Sequence, residues 1–140
     1  MWIDHISGEM ERTHHLHRAY IGAGSNLRAE EAVRAIERAS EALAALGLVR
    51  PSSTYRTDGV GVKSAGMVYH NAVFEFDTQL DADSLNAVLK QYEEDNGRDR
   101  STPVITIDLD LVVYDGEVLR PADFSHLYFL TGYRQLGGAQ

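Results

Sequence analysis

Hydrophobic residues along this chain change period several times, and the changes outline its elements. "HRAYIGAG" (residues 17–24) reads as a short strand ending in glycine. In "SNLRAEEAVRAIERASEALAALG", Val33, Ile36, Ala39, Leu43 and Leu46 recur at helical spacing. Ser25 or Asn26 is placed to cap that helix, Glu30 and Glu31 suit its first turn, and Gly47 supplies a stop. "LVRPSSTYRT" (48–57) is a second strand, and Pro51 assigns its beginning to a sheet edge. The glycine-rich "DGVGVKSAGM" (58–67) reads as a mobile loop. In "VYHNAVFEFD" (68–77), His70, Ala72, Phe74 and Phe76 alternate with Asn71, Val73, Glu75 and Asp77. Leu85, Val88, Leu89 and Tyr92 mark a second helix, with Asp83 or a near neighbour as its cap and Gly97 at its end. "VITIDLDLVVYDGEV" (104–118) opens with a last strand (104–113), with Ile105, Ile107, Leu109, Leu111 and Val113 on one parity and Asp108 and Asp110 on the other, and continues into a "YDGE" turn. Beyond Arg120 the pattern weakens, and "FSHLYFLTGYRQLGG" reads as a short helix or strand.

The order β-α-β-β-α-β is the ferredoxin-like α+β arrangement: an antiparallel sheet with two helices packed on one face. The parity then predicts a four-stranded core with Asp108 and Asp110 on the face away from the helices. Residues 1–17 lack periodicity and read as a flexible tail, which leaves 18–140 as one domain. This fold hosts many unrelated functions, so the chemistry must come from particular residues.

Composition narrows the choices. A chain of 140 residues that is 44% hydrophobic supports one core but not two comfortable domains. With no cysteine, disulfides, zinc–thiolate sites and thiol nucleophiles are out. Thirteen Lys and Arg against 21 Asp and Glu leave a net charge of -8, a field that repels nucleic-acid backbones. A small anionic substrate would need a local arginine cluster or a divalent cation. No apolar run reaches the roughly 18–20 residues of a membrane span. "MWIDHISGEMERTHHLH" lacks the basic-then-apolar pattern of a secretory leader, so the expected location is cytoplasmic, without a membrane.

Asp108 and Asp110 are the main candidate for chemistry. Two residues apart on a strand, they point the same way at a Cα separation of roughly 6.5–7 Å. Carboxylates so placed repel each other unless neutralised. Mg²⁺ does this with oxygen ligands while leaving positions for phosphate oxygens. The plainer account is an exposed acidic strand face, but the strand is apolar enough to be central, where unneutralised carboxylates are costly. "GAGSN" (22–26) joins a strand to a helix start and reads first as a tight turn; it lacks the lysine of a phosphate-binding loop and the third glycine of a dinucleotide fingerprint. His14, His15 and His17 read as solvated tail residues, and His70 as a core imidazole satisfied by a backbone carbonyl. No Ser–His–acid triad assembles.

Three segments taken together, "AYIGAGSNL", "STYRT" followed by a glycine-rich loop and "YHNAVFEFDT", and "TIDLDLVVYDGEV", resemble the 6-hydroxymethyl-7,8-dihydropterin pyrophosphokinase family over roughly residues 18–119. The resemblance implies a 2-amino-4-hydroxy-6-hydroxymethyldihydropteridine diphosphokinase of folate biosynthesis. Such an enzyme moves pyrophosphate from ATP to the pterin hydroxymethyl. It implies two Mg²⁺ ions, bound with ATP on Asp108 and Asp110. It also implies a pterin pocket using Gly24, Thr57, Val60 and Asn71, with Tyr128 (or Phe129) as an aromatic lid. Arg98 and Arg100 would handle ATP phosphates, Arg98 with a catalytic part. The implied partners are ATP and the reduced pterin alcohol, with other folate-pathway enzymes as further candidates. An Asn amide suits a pterin edge and an aromatic ring its face. This chain departs from the family after Arg100: the longer Arg- and Trp-bearing loop is reduced to "STPVI", Ile105 stands where an Arg would precede the strand, and the only Trp is Trp2. Two alternatives therefore stand beside an active pyrophosphokinase: a relative that binds pterin or nucleotide without efficient turnover, and a ferredoxin-like interaction module.

Overall fold

The computed structural model describes residues 16–61 and 65–138. β1 (His17–Ser25) leads into α1 (Ala29–Ala44), then β2 (Leu48–Pro51), β3 (Tyr55–Asp58) and β4 (Val68–Thr78). α2 (Ala82–Asp95) follows, then β5 (Asp108–Tyr114), β6 (Glu117–Val118), α3 (Pro121–Phe124) and α4 (Leu127–Gln135). The sheet runs β2-β4-β1-β5-β6, with β3 also on β4. All pairings are antiparallel. This is the ferredoxin-like α+β arrangement expected from the hydrophobic pattern. No helix among the described residues is long and apolar enough to cross a membrane.

The alternation in β4 explains the layers. Ala72, Phe74 and Phe76 pack with Ile21, Leu109 and Leu111 against Ile36 and Leu43 of α1 and Leu85 and Leu89 of α2. Each such fully buried large side chain contributes roughly 1.5–3 kcal/mol. The intervening residues of β4 are buried too, because α4 covers part of the other face. There Val73, Val112 and Val113 meet Phe129, Leu130 and Tyr133. Glu75 is buried on this second face and is held by an ion pair to Arg50. Arg50 Nη2 also donates to the Leu136 carbonyl at 2.8 Å, tying the end of α4 to the sheet.

Several expected details differ. The stretch 48–57 is two strands, not one. Ser52 donates its N–H to Val73 O and accepts the Val73 N–H on its Oγ, at 2.8 and 2.9 Å. Ser53 turns outward, and its N–H and hydroxyl both reach Gln135 Oε1. The last strand begins at Asp108 rather than 104. Residues 103–105 are held largely by Asn26 instead of a strand neighbour: its side chain accepts from Ile105 N–H at 2.6 Å and donates to Pro103 O at 2.7 Å, and its own N–H donates to Ile105 O at 3.0 Å. Neither Ser25 nor Asn26 caps α1, whose N-cap is Arg28 with no side-chain cap bond. Gly47 is required for space, not for a left-handed turn: a Cβ there would meet Asp77 O at 2.3 Å. Leu46 is exposed rather than core. For α2, Asp81 is the cap, accepting from Ser84 N–H at 2.7 Å, and Gly97 takes φ +88° at the end.

The parity of the last strand also slips. Tyr20 pairs with Val113 and Ile21 with Leu111, which leaves Val112 as an extra residue. This bulge puts Val112 and Val113 in the second core together, whereas strict alternation assigns Val113 to the helix side. The segment after Arg120 is helical. His17 opens β1 and bonds Asp115 through Nδ1 at 2.7 Å, so it is not a solvated tail residue. His14 and His15, the tail 1–15 and part of the expected mobile loop (62–64) lie outside the described residues.

Gly132 lets α4 approach the sheet. A Cβ there would stand 2.7 Å from Val73 Cγ2, 2.8 Å from Ser52 Oγ and 2.9 Å from the Tyr55 hydroxyl. Gly132→Ala is expected to lever α4 away and lower stability by about 1–3 kcal/mol, the usual cost of overpacking. A fall in the urea midpoint at unchanged slope checks this.

Candidate functional site

The cleft is built on the central strand. Gly24 of β1 stands between Asn71 of β4 and Asp108 of β5, and Gly22 between Val73 and Asp110. Residues two apart on a strand share a face, so both glycines belong to the face that carries these side chains. Their missing side chains leave a floor of bare backbone. A Cβ at Gly24 would press on Asn71 Oδ1 at 3.1 Å, and one at Gly22 would meet Phe129 Cδ1 at 3.4 Å. "GAGS" is therefore strand and floor, not a turn. Above it opens a cleft of about 290 Å³ whose walls include Thr57, Val60, Asn71, Tyr128 and both aspartates.

One wall is prepared for a planar polar ligand. Asn71 is buried, and its Nδ2 donates to Thr57 Oγ1 at 2.6 Å. That bond fixes the amide's orientation. Tyr69, two residues before Asn71 on β4, lines the same cleft. Tyr128 stands at the edge, half-buried, with its ring stacked on His126 and its hydroxyl donating to Asp123. Burial and that carboxylate push the Tyr128 phenol up. Phe129 also reaches the cleft, but it is fully buried and belongs to the second core. Tyr55 anchors this side: its hydroxyl donates to Tyr128 O at 2.7 Å and accepts from Gly132 N–H at 3.1 Å. Burial pushes its phenol up to about 12.

The opposite wall is charged. Asp110 Oδ1 accepts from Lys90 Nζ at 3.2 Å, and Arg120 Nη2 lies 3.8 Å from the same oxygen. Asp108 has a weaker cation, Arg98 Nη1 at 3.9 Å. The Asp108 carboxyl is pushed up to about 7, first by burial, then by the charges of Asp110 and Glu93, with Lys90 opposing. For Lys90, burial works against the charge, but Asp110 and Glu93 outweigh it and hold the ammonium above its ordinary value.

Arg98 Nη1 is buried, with no hydrogen-bond partner among the described residues. Buried guanidinium protons call for an acceptor, and an anionic ligand oxygen would meet that need beside Asp108. Two hard carboxylates also suit Mg²⁺, which is usually held by one or two carboxylates plus substrate phosphates. No group of three or more His, Cys, Asp or Glu able to hold a metal occurs among the described residues.

Not every expected residue comes together. Gly24, Thr57, Val60, Asn71, Tyr128, Asp108 and Asp110 all line the cleft. Arg98 is at its charged end, whereas Arg100 points away, 67% exposed and 3.9 Å from Glu94. A short loop after α2 turns the second arginine toward solvent. His70 Nδ1 is buried and unpartnered, not bonded to a carbonyl; β4 is laddered on both sides there, through Ser25 and Arg56. Lys90, Glu93, Arg120 and Asp123 were not visible as site residues. Lys90 and Glu93 read as ordinary polar helix positions, and Arg120 follows the last clear pattern. Tyr69 could have been found, since it shares the parity of Asn71.

These features define a ferredoxin-like α+β domain with a polar cleft on its open sheet face, an amide at one end and a carboxylate pair at the other. That is the layout of a small-molecule site. The family model for 7,8-dihydro-6-hydroxymethylpterin-pyrophosphokinase matches residues 20–134, and the chain belongs to that family. The comparison with curated proteins gives no match.

Asp108 generates a pH prediction for the ligand-free protein. Its folded-state value near 7 lies above the ordinary 3.8, so the proton binds more tightly to the folded chain. The resulting stability is full below about pH 4 and is lost as pH rises through 7. With 37% of the side chain open to water, screening reduces the effect to roughly 1 kcal/mol. Asp108→Asn should melt higher than wild type at pH 8 in EDTA, with the gap closing toward pH 4. Equal melting points at pH 8 would refute it.

Proposed function

We propose that this chain is an active pterin pyrophosphokinase, transferring pyrophosphate from ATP to the hydroxymethyl group of 6-hydroxymethyl-7,8-dihydropterin. One observation carries the reading: a fixed Asn71–Thr57 pair and the Asp108–Asp110 pair share one cleft across Gly24. A flat donor–acceptor heterocycle against Asn71 would point an exocyclic hydroxymethyl toward the carboxylates. Asn71 supplies edge recognition, Tyr128 and Tyr69 supply aromatic surface, and the glycine floor leaves room for a ring.

In the transfer, the hydroxyl oxygen attacks the β-phosphorus of ATP, the bond from that phosphorus to the α,β-bridging oxygen breaks, and AMP leaves. Asp108, in the same cross-strand row as Asn71, would take the hydroxyl proton. Asp108 and Asp110 would hold Mg²⁺, which neutralises charge on the transferring phosphates when bound. Arg98, with its unpartnered buried Nη1, adds a fixed positive charge at that end. Positioning and charge neutralisation are most of what phosphoryl transfer asks of a protein.

The second reading, a relative that binds pterin or nucleotide with little turnover, draws support from the exposure of Arg100. One assay separates the two. AMP release from Mg–ATP should depend on the reduced pterin alcohol; no pterin-dependent AMP favours the second reading. Asp110→Ala is expected to abolish turnover, and activity within twofold of wild type would refute a role for the pair. Asn71→Ala should weaken pterin binding at least tenfold by calorimetry. Unpairing buried polar groups costs about 1–3 kcal/mol. Affinity for a non-hydrolysable ATP analogue should hardly change.

A further inference from the structure

Asp123 lines the cleft, yet the proposed reaction leaves it without a task. Its side chain is 17% exposed, and both of its oxygens are taken. Oδ1 accepts from the Tyr128 hydroxyl and Oδ2 from Arg120 Nε. A divalent ion on Asp123 would have to displace one of these donors, so its own contacts argue against a further metal ligand. They point instead to the aromatic edge. We propose that Asp123 is a positioning residue of the pterin site: it fixes the Tyr128 ring in advance, so that the face turned away from His126 is ready for the flat heterocycle. This deepens the proposed function and rests on its reading of Tyr128 as an aromatic wall.

Three attachments hold Tyr128. Tyr55 donates its hydroxyl to the Tyr128 carbonyl at 2.7 Å and fixes the backbone. His126 stacks on one face of the ring, with centroids 5.1 Å apart and planes 17° from parallel. A backbone anchor and a stack still let the ring slide across the imidazole. The bond from the hydroxyl to Asp123, at the far tip of the ring, removes that freedom. A side chain that must be ordered on binding lowers affinity, and one ordered beforehand does not. The carboxylate is itself firmly mounted. Its backbone carbonyl accepts the His126 N–H at 3.2 Å, across the junction of α3 and α4. The neighbouring Phe124 packs on Phe129 and Tyr133 of the second core, at 5.8 and 5.3 Å. The plainer account is that Arg120 and Asp123 pair only to stabilise α3. That pair needs one carboxylate oxygen, whereas the other reaches out of α3 to a cleft residue of the next helix.

Calorimetry with 6-hydroxymethylpterin, in Mg²⁺ and saturating α,β-methylene-ATP, tests this. Tyr128→Phe keeps the ring and removes the tether; Asp123→Ala removes the acceptor. Each should weaken pterin binding roughly threefold to tenfold, the effect of one hydrogen bond. Affinity for α,β-methylene-ATP, measured alone, should hardly change. The double variant should bind no worse than the weaker single one, because both changes cut the same bond. Losses shared by both ligands, as a merely structural Asp123 would give, overturn the proposal. So do additive losses in the double variant, or pterin binding by Tyr128→Phe equal to wild type; the pterin reading then stands. No pterin binding by the wild type overturns that reading and the proposal with it. Should Asp123→Ala not fold, Tyr128→Phe decides the matter alone.

Discussion

The site depends on a strip of central β-strand that has no side chains on one face. Gly22 and Gly24 alternate in β1, and both flanking strands turn polar groups toward the gap they leave. A Cβ at Gly24 would press on the Asn71 amide, whereas one at Gly22 would come into contact with Phe129. The same absence does two things. It lets α4 settle on the sheet at one end, and it holds the cleft open at the other.

Everything charged in the cleft is arranged around a cost. Two carboxylates on one face of β5 would repel each other, and a third, Glu93, is buried close by. The protein meets this unevenly. Asp110 has Lys90 and Arg120, whereas Asp108 has only a distant Arg98 and becomes the carboxyl that is hard to ionise. The strain that a paired-aspartate motif implies therefore falls mainly on one member.

The C-terminal segment closes one wall of the site. α3 and α4 fold back over Val73 and Val112, and Arg50 on Glu75 and Leu136 fastens them. The Tyr55 hydroxyl, between Tyr128 O and Gly132 N–H, carries the position of this helix to the cleft. The aromatic edge of the site is thus set by packing on the far face of the sheet, through contacts far apart in sequence.

The element order, the two helix stripes and the shared face of Asp108 and Asp110 were all determined by the sequence, because periods of 2 and 3.6 depend only on neighbours along the chain. Asn71 and Thr57 were legible through their segments. Three things were decided only by tertiary structure. The first is the bulge that carries Val113 to the second core, since a register depends on the partner strand. The second is the use of Asn26 to hold residues 103–105, since a side chain capable of capping its own helix met a better partner 79 residues away. The third is Lys90. On α2 alone it is one polar residue among several, and its significance comes from Asp110, which only the packing of α2 on β5 brings within 3.2 Å. Local pattern specifies which face a residue takes, but the charge it meets there is contributed by a distant part of the chain.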